Sequence, residues 1–91
     1  MAKVNATCEY VQDGDTFRTA GQNWIRLANV CAPELDKVGG TRAKGILESL
    51  ILGKTITYEQ VGTSHNRKVA EVWVNGLSVN TYMRQQGYTC S

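Results

Sequence analysis

The hydrophobic period of this chain changes twice, and that change limits the architectures open to it. Residues 3–11 and 17–28 read as strands, with Ile25 and Leu27 flanking a single charged side chain, Arg26, at the period of two expected of a half-buried strand. From Thr41 the period lengthens: Ala43, Ile46, Leu47, Leu50 and Ile51 fall at i, i+3, i+4, i+7 and i+8, one face of an amphipathic helix. Residues 55–61 and 67–74 then return to the β-branched and aromatic composition of strands. Turn chemistry divides these runs. Asp13-Gly14 is a hairpin signal, Ala20-Gly21-Gln22-Asn23 splits residues 17–28 into two strands of a meander, and Asn75-Gly76 marks a further turn. Gly53 suits a left-handed helix end, and residues 62–66 join the last two long strands. Ser78 can cap a short second helix in which Val79, Tyr82 and Met83 share a face, with Gly87 at its end.

Five strands with one helix between the third and fourth give an all-β-dominated chain that fits a small closed barrel of the oligonucleotide-binding (OB) type, because closure removes exposed sheet edges. The length, 91 residues, is that of one domain, residues 1–91, with a modest core. A net charge of +2 is too small to draw a polyanion to the whole surface, so any such binding must come from a local arrangement of arginines and lysines. No run reaches the length of a membrane span, and no signal peptide is expected in the sequence as written, because the strand pattern begins just after Met1 and Ala2. The expected location is cytoplasmic for the sequence as written, and secreted or periplasmic if a signal was removed. Cys8, Cys31 and Cys90 lack the spacing of a zinc site; the odd count permits one bridge, and three pairings are open.

Chemistry concentrates in three segments. Pro33 stops the strand carrying Arg26 and leaves Glu34 on a loop just beyond a rigid strand end, where functional groups often sit. The acidic turn Asp13-Gly14-Asp15-Thr16 lies upstream and Asn66-Arg67 downstream. Together, Asp13-Gly14-Asp15-Thr16, Arg26-Leu27, Cys31-Ala32-Pro33-Glu34, Gly53-Lys54, Asn66-Arg67 and Val79-Asn80 resemble, in order and spacing from Cys8 to Tyr88, the staphylococcal nuclease (thermonuclease) family. That family shows Asp-Gly-Asp-Thr, Arg-Leu, Asp-x-Pro-Glu and Tyr-Gly-Arg.

The resemblance implies the OB-type fold and a calcium-dependent endonuclease or phosphodiesterase acting on single-stranded or flexible DNA and RNA. Carried over by motif, Arg26 and Arg67 would hold the phosphate and Glu34 would orient or deprotonate the attacking water. Asp15, supported by Asp13 and the Ala32 carbonyl, would ligate Ca²⁺. Three departures qualify these expectations. Cys31 stands where the family supplies a second carboxylate, which weakens or removes the metal site, since a thiol is a poor ligand for a hard ion. The family fold returns the segment after the second helix beside this loop, so the resemblance also suggests a Cys31–Cys90 bridge. Ser64-His65-Asn66 replaces the family's usual residues before Arg67, and the family's third helix lies beyond the match. A monomer, or weak self-association through uncovered apolar surface, is expected. Two readings compete with the nuclease: a non-catalytic OB module that binds single strands, with Tyr10, Trp24, Tyr58 or Trp73 stacking on bases, and a nuclease-like protein-interaction domain.

Overall fold

A computed structural model describes residues 3–90. In chain order the elements are β1 (Lys3–Asp13), β2 (Thr16–Thr19), β3 (Trp24–Leu27), α1 (Gly40–Ile51), β4 (Thr55–Ser64), β5 (Arg67–Val74), β6 (Leu77–Ser78) and α2 (Val79–Gln85). The first three strands form the meander that the turn residues predict, and β1 pairs on its other side with β4 and β4 with β5, all antiparallel. A parallel pairing of β3 with β5, Arg26 opposite Val69, then closes five strands into a ring of hydrogen bonds. This is the closed, OB-like arrangement expected from the pattern of elements. Register shifts in β1, between Cys8 and Tyr10 and between Val11 and Asp13, and in β4, between Gln60 and Gly62, supply the bends that a ring of long strands requires.

The core fills the ring and the space under both helices. Phe17, Ile25, Leu27, Ile56 and Val72 from the strands meet Leu47 and Ile51 of α1 and Val79 and Met83 of α2, all inaccessible to solvent. Cys8 is a buried free thiol in this cluster, and burial pushes its pKa up to about 11, which leaves it inert at neutral pH. The helix boundaries follow their caps. Leu52 N–H bonds to Glu48, and Gly53 takes the left-handed backbone, φ 77°, that ends α1. Ser78 caps α2 by accepting from Thr81 N–H.

Two connections differ from the expected ones. β4 and β5 run on until only His65 and Asn66 separate them, both at positive φ, the tight two-residue turn that matches strand twist. Asn75-Gly76 makes the same kind of turn and returns a two-residue strand, β6, before α2 begins. Among the described residues, no helix is long and apolar enough to cross a membrane.

Candidate active site

The turn between β1 and β2 is fixed by its own side chains and by a close approach from α1. Asp13 Oδ1 accepts from Asp15 N–H at 3.1 Å, which holds the turn. Gly14 sits under the helix: a Cβ there would lie 2.5 Å from that of Ala43 and 2.7 Å from that of Ala32. Only glycine lets the turn, the helix and the post-β3 loop meet at this point. A similar constraint acts at Gly40, the first residue of α1, where a Cβ would collide with the Glu34 carbonyl. The loop carrying Glu34 is further closed by Lys37 N–H bonding back to that carbonyl at 2.9 Å.

Asp15 is 8% exposed, yet each of its oxygens has a donor. Oδ1 accepts from Thr16 Oγ1 at 2.9 Å, and Oδ2 accepts from Ala32 N–H at 3.1 Å. Arg26 reaches the same carboxylate, 3.7 Å from Oδ2, while its other terminal nitrogen donates to the Leu27 carbonyl at 3.2 Å. Arg67 donates to Thr16 Oγ1 at 3.3 Å, so Thr16 links the second arginine to Asp15. These bonds explain how residues 52 positions apart in sequence share a site: the parallel β3–β5 pairing sets Arg26 and Arg67 on neighbouring strands.

A cavity of about 280 Å³ opens here. Asp13, Asp15, Arg26, Ala32, Glu34 and Arg67 line it, with Gln12 and Cys31 completing the wall. All the residues that the motifs single out for phosphate or metal therefore face one space. Glu34 is solvent-exposed. Burial, and then the neighbouring Asp15 carboxylate, raise the pKa of Asp13, so the acidic side of the cavity resists carrying two negative charges. His65 stands exposed at the tip of the β4–β5 turn and is not part of the cavity wall. Gln12 is a wall residue with no sequence signal. Thr16 could have been found from its place in the acidic turn.

Cys31 and Cys90 are joined in a disulfide, with Cα atoms 5.0 Å apart. Cys31 Sγ lies 3.8 Å from Arg26 Nη2. The bridge is reinforced by Cys31 N–H bonding to the Tyr88 carbonyl at 3.0 Å and by a Val30–Thr89 pairing, so the segment after α2 is anchored beside the cavity. Among the described residues, no group of three His, Cys, Asp or Glu side chains is placed to hold a metal ion. The carboxylates in the cavity wall are those of Asp13, Asp15 and Glu34.

The family model of staphylococcal nuclease homologues matches residues 24–91. Two curated relatives, from Escherichia coli O157:H7 and Escherichia coli, each named an uncharacterized endonuclease, are 30% identical over 91 aligned residues that cover 94% of this chain. The chain spans 60% of the length of these relatives. A match over three quarters of the sequence, on a closed five-stranded ring of this topology, shows that the chain belongs to the family of staphylococcal nuclease homologues.

Proposed function

We propose that this chain hydrolyses phosphodiester bonds in nucleic acid. The observation that carries the reading is the cavity itself: two arginines from neighbouring strands, a nearly buried aspartate and an exposed glutamate around one polar space, in a member of a nuclease family. A phosphodiester drawn into that space would meet Arg26 and Arg67 from two directions, and planar guanidinium groups suit its non-bridging oxygens. The Arg26 fork is already oriented by Asp15 and the Leu27 carbonyl, so little freedom is lost when it takes up the phosphate. Glu34 accepts the proton of a water that attacks phosphorus in line with the leaving oxygen. The P–O bond to the leaving nucleotide breaks, its oxygen takes a proton from solvent, and the arginines neutralise the charge gathered on the phosphoryl oxygens.

The donor set fits a weakly held, mostly hydrated Ca²⁺. Asp13 and Asp15 are two carboxylates whose mutual repulsion a cation would relieve, and the Ala32 carbonyl would be a further donor by the family motif, but calcium takes six to eight oxygens and Cys31 is committed to sulfur. When bound, the ion would be held by Asp13 and Asp15 and would supply further positive charge to the cavity. Cys31 in the place of a carboxylate also favours a second reading, a module that binds single strands without cutting them.

The test is cleavage of single-stranded DNA with and without Ca²⁺ by the wild-type chain and by Glu34→Gln purified in parallel. Calcium-dependent cutting that falls at least about a hundredfold in Glu34→Gln, the effect of removing a general base, supports hydrolysis. Equal, negligible cutting by both proteins, with binding intact, supports the second reading.

A further inference from the structure

One step from the cavity, on the outer face of the same strands, lies a cluster that the hydrolytic reading does not use. Tyr10 of β1 and Trp24 of β3 stand edge to face, ring centroids 6.1 Å apart and planes at 89°, and Tyr10 is 43% exposed. Arg18 of β2 lies over both, its guanidinium 5.5 Å from the Tyr10 ring centre and 5.4 Å from that of Trp24. Glu9 holds Arg18 from one side, Nε to Oε2 at 3.0 Å, and Lys44 of α1 places its ammonium 5.9 Å from the Tyr10 ring. The register fixes where this cluster lies. Arg18 pairs with Trp24 and with Tyr10, and Thr16 pairs with Arg26, two residues further along the same strands. Side chains two apart on a strand share a face about 7 Å apart. The aromatic cluster and the Arg26 side of the cavity therefore form one stripe across β2 and β3.

We infer that Tyr10 and Trp24 form a base-binding subsite for single-stranded nucleic acid, flanking the phosphate cavity and taking the bases next to the phosphate held there. Tyr10 is exposed and Trp24 half-buried, and accessible aromatic rings beside cations are the usual means of holding single strands, because every base has a π-face and the backbone is anionic. Arg18 and Lys44 supply the charge complementarity, and the continuity with Arg26 supplies the path for the strand. Single strands are favoured over duplex because their unstacked bases are free to stack on the rings, whereas duplex bases are stacked on one another and out of reach. Tyr58 is buried in the core and is excluded from such a role.

This subsite rests on the reading of the cavity as a phosphate site, and its test uses binding alone, so that it stands or falls apart from cleavage. Affinity of the wild-type chain for a fluorescent oligothymidylate and for an abasic strand of the same length is measured by anisotropy in EDTA. Tyr10→Ala and Trp24→Ala are each expected to weaken oligothymidylate binding about tenfold, the loss of one stacked base, and to change abasic-strand binding less than about twofold. Tyr10→Phe and Trp24→Phe, which keep a ring, are expected to stay within about twofold of wild type on both strands. Equal losses on the two strands, wild-type affinity in both alanine variants, or a wild-type chain that does not prefer bases over abasic sites would each overturn the inference. Selective loss on oligothymidylate together with absent cleavage would leave the subsite standing and remove the hydrolytic reading.

Discussion

Replacing Asn80 tests how the ring is held shut beside the cavity. The parallel β3–β5 ladder runs to Ala28, whose N–H bonds to the Ala70 carbonyl at 2.9 Å; the next bond of such a ladder would join Val72 N–H to the Ala28 carbonyl. The Asn80 amide is inserted there instead. Its Oδ1 accepts from Val72 N–H at 2.8 Å, and its Nδ2 donates to the Ala28 and Ala70 carbonyls, each at 3.0 Å, with the residue wholly buried. In Asn80→Ala both carbonyls keep a donor, since Ala70 still receives Ala28 N–H and Ala28 still receives Arg84 at 3.2 Å. Val72 N–H loses its acceptor. An orphaned buried donor costs about 1–3 kcal/mol, and the space left by the amide adds about 1 kcal/mol. The expected loss is thus about 2–4 kcal/mol, a large part of the roughly 5–13 kcal/mol typical of a chain this size, and a fall in Tm of about 10–25 °C. Asn80→Asp keeps the acceptor for Val72 but turns an oxygen on two carbonyls and buries a charge, so at pH 7 it should be less stable than Asn80→Ala. Burial favours the protonated form of the introduced carboxyl and raises its folded pKa above the unfolded value of about 3.9. Its penalty is therefore least below that pH and grows as pH rises through the folded pKa. Urea unfolding at pH 7 and pH 4 measures both effects. An Asn80→Asp protein at least as stable as Asn80→Ala at pH 7 would refute the argument, because the donated bonds would then not be what holds the junction.

Gly14→Ala should drive the β1–β2 turn away from α1, since the new methyl would lie 2.5 Å from Ala43 Cβ; overpacking of this kind costs about 1–3 kcal/mol, visible as a Tm lower by about 5–20 °C, and an unchanged Tm would show that the turn and helix are loosely apposed. Replacing Cys31 and Cys90 together with serine releases a closed loop with a sequence separation of 59, which chain-entropy arguments value at about 4 kcal/mol; urea unfolding of the variant against the unreduced wild type should show a loss of about 2–4 kcal/mol, and equal midpoints would mean that the bridge does not constrain the unfolded chain.

Strands, helices and their ends were legible because each depends on neighbours in sequence. The five apolar residues from Ala43 to Ile51 define a helix face wherever the helix packs, Ser78 caps α2 with a hydroxyl three residues from its donor, and Gly53 ends α1 by its own backbone freedom. Asp15, Arg26, Glu34 and Arg67 could be picked out by motif. What the sequence did not carry is why they face one another, because the β3–β5 pairing, the Thr16 link to Arg67 and the Ala32 bond to Asp15 join residues that are distant in the chain. The same holds for Gln12 in the cavity wall and for Gly14, whose need for glycine arises from a helix nearly thirty residues away. Asn80 was legible only as the start of a short helix; its role as a substitute peptide unit exists only once two strands diverge beside it. By itself, then, the sequence determined the local elements, through side-chain periodicity, capping and turn chemistry that act within a few residues. The tertiary structure decided the closure of the ring and the geometry of the cavity, because hydrogen bonds and close contacts between remote segments depend on distances that no local pattern encodes.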